Sequence, residues 1–175
     1  VVPSGNMGDA FAGYGAARCG RLAGFELVCA VNENKTLATL LADGEMRREQ
    51  AVPTPSPAMD ISVPSNFERL FFEVAGRDGD MVRRTYDQYR QSGMATLPEE
   101  VRSPLSCTGL SALMVDNRET LNEMQVFLDE TGALICPHTA VGTSAVRRLP
   151  VTEATTIVLA TAHAAKFPET VKEAT

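Results

Sequence analysis

The chain has 175 residues, of which 44% are hydrophobic and 22% charged, and this composition predicts a globular protein with a sizeable core. Its net charge of -6, without any block of Lys and Arg, argues against nucleic acid as a partner. No apolar run reaches the roughly 20 residues that a membrane-spanning helix needs, so we expect no membrane partner and a cytoplasmic location.

The first twenty residues have the pattern of a strand, a turn and a helix. Val1 to Pro3 resembles the end of a strand. The segment from Asp9 to Arg18 carries apolar residues at helical spacing, and Gly20 is a suitable stop. The residues between the strand and the helix therefore form a tight connection.

A second unit of strand and helix follows. Phe25 to Val31 is a short apolar run of strand length, and Asn32 or Asn34 can cap a helix that continues to Gly44. Strands that are separated by helices favour parallel pairing with right-handed crossovers. The predicted fold class is therefore α/β, with a mainly parallel sheet flanked by helices.

The rest of the chain is predicted to contain a loop, several helices and a late strand. Residues 45–58 begin with charged residues and continue with alternating prolines, which favours a rather rigid loop. Three segments have apolar residues at helical spacing: 66–76, 78–93 and 119–132. Residues 94–115 carry no clear pattern. Residues 154–163 are predicted to form another strand, followed by a turn and a short helix within 167–174.

The connection Ser4-Gly5-Asn6-Met7-Gly8-Asp9 is the first candidate site. A glycine turn between a strand end and a helix start presents several backbone N–H groups to one point, where the helix dipole also favours an anion. The alternative is that Gly5 and Gly8 only allow a tight turn. The spacing matches neither the GxGxxG dinucleotide fingerprint nor a Walker A loop, which leaves a mononucleotide-like or cofactor phosphate.

The cysteines and histidines indicate no metal site. Cys19, Cys29, Cys107 and Cys136 have no CxxC spacing, and we expect them to be free thiols. His138 and His163 are interpreted as packed or capping residues.

Five blocks of the sequence together resemble the threonine synthase family. They are VVPSGNMGDAFAGYGAARCG, VCAVNEN, SPAMDISVPSNFERLFFE, PHTAVG and VLATAHAAKFPETV. Members of this family use pyridoxal phosphate to convert O-phospho-L-homoserine and water to L-threonine and phosphate. The resemblance implies the fold type II architecture of pyridoxal phosphate enzymes, in which two α/β domains enclose the cofactor.

The resemblance also implies roles for individual residues. The loop that holds the cofactor phosphate corresponds to Gly5, Asn6, Met7, Gly8 and Asp9. The hydroxyl group that faces the pyridine nitrogen corresponds to Thr161. Taken alone, Thr161 is better explained by a backbone hydrogen bond at the end of a strand. Ser65 or Asn66 is explained first as a helix cap, with a role toward the substrate as the alternative.

Three positions depart from the family pattern. Met7 stands where phenylalanine is usual, and Ala164 replaces a usual proline. Cys136 replaces a usual aspartate before a predicted helix, which we expect to remove a cap that contributes about 1 kcal/mol. This last departure is the main support for an alternative function, a threonine-synthase-like homologue that binds ligands without catalysis.

The lysine that forms a Schiff base with the cofactor lies upstream of the phosphate loop in this family. None of Lys35, Lys166 and Lys172 matches its motif. We therefore expect residues 1–175 to be one part of the cofactor-binding catalytic region, with no catalytic residue of their own, and the lysine to lie in an upstream domain. A dinucleotide-dependent oxidoreductase domain is a further alternative, which the glycine spacing disfavours.

Overall fold

The computed structural model of the chain describes residues 1–20 and 24–175. Within them the strands are β1 (Val2–Pro3), β2 (Leu27–Val31), β3 (Glu45–Arg47), β4 (Met94–Thr96) and β5 (Leu110–Met114). The helices are α1 (Gly8–Arg18), α2 (Thr36–Asp43), α3 (Phe67–Val74), α4 (Gly79–Ser92), α5 (Glu99–Ser106), α6 (Asn117–Thr131), α7 (Pro137–Arg147) and α8 (Pro168–Ala174). Two short 3-10 turns occupy Pro57–Met59 and Ala164–Lys166.

The main sheet is parallel and has the order β1-β2-β5. Val2 pairs with Cys29, and Leu27 pairs with Leu110. Every residue of β2 is buried, which is typical of a central strand covered on both faces. A separate antiparallel pair joins β3 to β4. The predicted α/β class with a parallel sheet is confirmed.

Packing on the two faces of β2 follows from the alternation of its side chains. Cys29 and Val31 lie in a large apolar cluster with residues of the first five helices, including Phe67 and Phe71. Ala30 points the other way and lies in a smaller cluster with Val141 of α7. The sheet therefore separates two helical layers. The loop of residues 4–7 (the first loop) follows β1, and α7 packs against the strands.

Most of the predicted helices are present, but the cap of α2 was predicted wrongly. The residue before α2 is Lys35, and no side chain caps this helix. Asn32 and Asn34 instead bind the carboxylate of Asp60, at 2.8 and 2.9 Å. A buried polar network formed with distant residues outweighs a local cap at these positions.

The segment without a clear pattern contains a strand of the main sheet. β5 pairs with β2 along its full length, although its residues are only partly buried or exposed and show no strict alternation. The preceding helix α5 follows Pro98 and contains Pro104. Because proline is unfavourable inside a helix, the sequence of this segment does not indicate one.

The predicted strand over 154–163 is not formed. Within these residues the backbone is irregular, and Ile157 and Leu159 are exposed. In the described residues the backbone hydrogen bonds of this segment beside β1 are made by Val1, just before the strand, which donates to the Ile157 carbonyl at 2.6 Å and accepts from the Leu159 amide at 3.1 Å. A strand needs hydrogen bonds to several residues of a neighbouring strand. A single residue does not provide them, so the apolar run stays irregular. In the part of the chain described, no helix is long and apolar enough to cross a membrane.

Candidate functional site

The predicted loop and Thr161 line a single cleft of about 440 Å³. The cleft opens where β1 ends, the edge at which parallel sheets commonly bind ligands. Its walls come from residues 3–9, 58–59, Asn66, His138, 161–162 and 166–167. The structure thus brings together Gly5, Asn6, Met7, Gly8, Asp9 and Thr161, although Thr161 is distant in the sequence.

Backbone amides at the start of α1 are available to a ligand. Met7 adopts a left-handed conformation with φ of 65°, which turns the chain into α1, and no side chain of the described residues caps the helix. Among the hydrogen bonds of the described residues, none uses the backbone N–H groups of residues 5–10. The first amide of α1 with a protein acceptor is Phe11, which donates to the Met7 carbonyl at 2.9 Å. Such a helix start has the unpaired amides and the dipole orientation that favour an anion.

Sterics require a glycine at position 5 of this loop. A Cβ atom added to Gly5 would lie 2.8 Å from Cα of Met59 and 2.9 Å from Cγ1 of Ile61. At Gly8 it would meet Nδ2 of Asn66 at 3.6 Å, an ordinary contact. Gly5 therefore lets the loop pack against the 57–59 turn, whereas at Gly8 the protein itself leaves room for a side chain.

Asn6 ties the loop to the start of α3. Its Oδ1 atom accepts from the amide of Ser65 at 2.6 Å and from the Ser65 hydroxyl at 2.8 Å. Its backbone carbonyl accepts from the Asn66 amide at 3.3 Å. The predicted capping of α3 by Ser65 or Asn66 is wrong, because no side chain caps this helix and the Ser65 hydroxyl is engaged by Asn6.

A buried polar network holds the 57–59 turn against the end of β2. Nδ2 of Asn32 donates to Oδ1 of Asp60 at 2.8 Å and to the Ser56 hydroxyl at 3.0 Å. The Thr54 amide donates to Oδ2 of Asp60 at 3.0 Å. Sequence reasoning missed this network. The signal available was the pair of asparagines after β2 together with the hydroxyl residues and aspartate around the prolines.

His138 joins the turn to α7. Its Nε2 atom accepts from the backbone amide of Ala58 at 3.1 Å, and its ring lies 4.8 Å from the Phe167 ring. His163 accepts from the Ala165 amide through Nδ1 and starts the second 3-10 turn. Both histidines therefore have the packing and capping roles predicted for them.

Cys136 caps α7, contrary to the expectation that its replacement of aspartate removes a cap. The sulfur accepts from the Thr139 amide at 3.4 Å and lies 3.1 Å from the Thr139 hydroxyl oxygen. Burial alone would raise the pKa of this thiol, but the polar groups of His138, Thr139 and the Ala162 backbone near it lower it to about 6. Because the cap is retained, Cys136 no longer favours a homologue without catalysis.

Thr161 lines the same cleft as the first loop. Thr161 is exposed, and its backbone amide donates to the Thr139 hydroxyl oxygen at 3.4 Å. Lys166 also lines the cleft. The lining of the cleft thus includes both the amides at the start of α1 and a neutral hydroxyl group.

The remaining cysteines are free thiols, as predicted. Cys29 lies in the core, and burial raises the pKa of its thiol to about 12. Cys19 and Cys107 are exposed.

Comparison with known proteins confirms the resemblance noted in the sequence. The family model described as "Threonine synthase, C-terminal" matches residues 139–175. Threonine synthase of Pseudomonas aeruginosa is 37% identical over 174 residues, which are 99% of this chain and 37% of that protein. Human threonine synthase-like 2 is 36% identical over 177 residues, covering 98% of this chain and 36% of that protein.

Solved structures give the same result for the fold. A pyridoxal-phosphate-bound threonine synthase from Brucella melitensis matches with a TM-score of 0.91 and 42% identity, over 99% of this chain and 37% of that one. Yeast threonine synthase matches with a TM-score of 0.90 and 33% identity, again over 99% and 37%. The chain therefore spans between a third and two fifths of the length of these relatives.

Proposed function

We propose that this chain, which is homologous to the C-terminal part of the threonine synthases, binds pyridoxal phosphate as one part of a threonine synthase. The observation that carries the proposal is the cleft whose lining includes both the uncapped start of α1 and Thr161. The complete protein would be a cytoplasmic lyase that converts O-phospho-L-homoserine and water to L-threonine and phosphate.

The residues present fit the cofactor at both of its polar ends. The amides of residues 5–10 are free to bind a phosphate group, and the room beside Gly8 allows it to approach the backbone. The hydroxyl group of Thr161 is exposed in the same cleft. When bound, pyridoxal phosphate supplies the electron sink that stabilises negative charge on a substrate carbon.

In this proposal each part of the cleft has one task. The start of α1 binds the phosphate group, and Asn6 keeps the loop in place through Ser65. Thr161 would hold the ring nitrogen through its hydroxyl group, a neutral donor that does not force the nitrogen to become protonated. The Schiff-base lysine is assigned to a part of the protein outside these residues.

The test uses the complete protein with O-phospho-L-homoserine as substrate. We expect threonine and phosphate in equal amounts, measured by amino-acid analysis and phosphate release. Thr161→Val should lower turnover about tenfold, because one hydrogen bond to the ring is lost. Thr161→Ser keeps the hydroxyl group and should stay within a few-fold of the unmodified protein.

A matched control is Thr156→Val, an exposed threonine in the same extended segment but outside the cleft lining. This variant should retain full turnover. Release of phosphate without threonine, or an equal loss of turnover in both valine variants, would contradict the proposal.

A further inference from the structure

A second cavity, of about 470 Å³, lies between α3 and α4 next to the cleft. We call it the groove, and its polar lining includes Ser65, Asn66, Arg69, Arg83, Tyr86 and Arg90. The groove and the cleft adjoin each other, because Asn66 lines both. Nδ2 of Asn66 is also the atom that a Cβ at Gly8 would meet at 3.6 Å. A ligand in the groove would therefore be a neighbour of the phosphate group proposed for the first loop.

Positive charge dominates the lining of the groove. Three arginines and one carboxylate supply its charged groups: Arg69, Arg83, Arg90 and Glu68. Arg83 pairs with Asp80 at 2.9 Å, and Arg90 pairs with Asp87, but neither aspartate belongs to the lining. Both pairs are exposed, and a guanidinium group has five N–H donors, so each arginine keeps donors for a ligand.

Arg69 has no such carboxylate partner. Within residues 1–20 and 24–175, its guanidinium group forms neither an ion pair nor a hydrogen bond. Its Cζ atom instead lies over the Phe11 ring, 5.6 Å from the centre of the ring. Stacking on an aromatic ring holds the planar group and leaves the N–H donors at its edge free to bind a phosphate oxygen pair. The groove therefore contains a cation that is held in place with unused donors.

Tyr86 adds a neutral donor to the groove. The residue lines the groove and is only 8% exposed, and its hydroxyl group has no hydrogen-bond partner in the described part of the chain. Buried polar groups usually have such a partner. Burial and the nearby charge of Glu68, which also lines the groove, raise the pKa of Tyr86. The hydroxyl group therefore keeps its proton and can donate to an anion.

The first loop offers a site for one phosphate group, whereas the proposed reaction involves two. The amides of residues 5–10 are assigned to the cofactor, and O-phospho-L-homoserine brings a phosphate group of its own. We propose that the groove is a second phosphate site, in which Arg69 binds the phosphate group of the substrate and Arg83 and Arg90 add positive charge. The role toward the substrate rests on the proposed function. The same donors would bind the phosphate ion that the reaction releases.

The kinetic test uses the complete protein with O-phospho-L-homoserine. Arg69→Met keeps an apolar stem beside Phe11 but removes the charge, and it should raise KM about 10- to 100-fold, the effect of losing a hydrogen bond to a charged group. Arg69→Lys keeps the charge without the paired donors, so its KM should lie between these values. The affinity of both variants for pyridoxal phosphate should stay within about twofold of the unmodified protein.

The matched control is Arg84→Met, which removes an exposed arginine of α4 outside the groove lining. Its KM should equal that of the unmodified protein. Thermal unfolding followed by circular dichroism confirms that all three variants are folded.

The direct test is a calorimetric titration with inorganic phosphate. The complete protein is first saturated with pyridoxal phosphate, so that the first loop is occupied and further phosphate binding reports another site. We expect one phosphate ion per chain, which Arg69→Met should bind about tenfold more weakly. Arg84→Met should bind it normally.

Each outcome separates the two proposals. If Arg69→Met changes neither KM nor the affinity for phosphate, the groove is not a phosphate site, and a raised KM in Lys166→Met would place the substrate phosphate in the cleft itself. Phosphate binding that depends on Arg69 together with an unchanged KM would overturn the role toward the substrate. If the protein forms no threonine but its phosphate binding depends on Arg69, the proposed function fails while the second phosphate site is supported.

Discussion

Gly5 is the residue at which backbone packing constrains the loop most directly. Its missing side chain lets the loop approach Cα of Met59, an atom that cannot move without moving the 57–59 turn. We expect Gly5→Ala to lower the free energy of unfolding by about 1–3 kcal/mol, the usual cost of forcing extra volume into a packed site. Urea unfolding of the complete protein measures this change.

Gly15→Ala is the matched control for that measurement. Gly15 lies within α1, and an added Cβ would meet nothing within 4 Å in the described structure. Because alanine favours a helix more than glycine does, this variant should be stabilised by up to about 1 kcal/mol. Equal stability of the two alanine variants would contradict the steric role of Gly5.

Cys136 should make stability depend on pH. Its pKa is about 6 in the folded protein against an ordinary value of 9.0, so between these values the unfolded chain binds more protons and stability rises with pH. The contribution of Cys136 to the free energy of unfolding is complete above the pKa of the unfolded chain. It disappears as the pH falls through the pKa of the folded protein. Urea unfolding across this range should show a difference between the unmodified protein and Cys136→Ser that grows with pH. A difference in stability that does not change with pH would refute the lowered pKa of Cys136.

The helices show which elements could be predicted from the sequence and which could not. α3, α4 and α6 have strong apolar spacing and were found at nearly their observed bounds. β5 was missed because it is partly exposed, and the strand over 154–163 was predicted wrongly because an apolar run says nothing about the partner that it needs. The loop of the candidate site was predictable, since its chemistry lies in the local backbone. The polar network around Asp60 depends on long-range contacts.

The link between α3 and the loop leads to a test at the level of elements. Ser65→Ala removes the hydroxyl donor to Asn6 but leaves the Ser65 amide in place. We expect affinity for pyridoxal phosphate to fall about two- to fivefold, because the loop loses one of its anchors to the helix. Ser62→Ala, in the same segment but outside the cleft lining, should bind normally. An unchanged affinity of Ser65→Ala would show that the amide alone holds the loop.

The start of α6 provides a prediction about stability alone. Asp116 accepts from the Glu119 amide at 2.7 Å, and the Glu119 side chain accepts from the Asp116 amide at 3.0 Å. Asp116→Ala breaks this capping box and should cost about 1 kcal/mol. Asp129→Ala, near the exposed end of the same helix, should change stability by less than about 0.5 kcal/mol. Differential scanning calorimetry compares them, and similar melting temperatures would refute the assignment.

For the whole molecule, the prediction concerns the lysine that the cofactor modifies. Lys166 lines the cleft but does not match the family's lysine motif, and the chain spans 37% of the Pseudomonas relative. Reduction of the complete protein with borohydride in the presence of pyridoxal phosphate should label one lysine outside these 175 residues. Peptide mapping by mass spectrometry identifies it. Stoichiometric labelling of Lys35, Lys166 or Lys172 would show that the division of tasks proposed here is wrong.

Strand β2 fixes the position of the first loop relative to the 57–59 turn. Ala30 accepts the Ser4 amide at the start of the loop, and Asn32, two residues later on the same face, holds Asp60 behind the 57–59 turn. A single residue inserted between them would rotate Asn32 to the opposite face of the sheet and separate the turn from the loop. Differences in length among homologues should therefore fall in the proline-rich segment after β3 and not within β2.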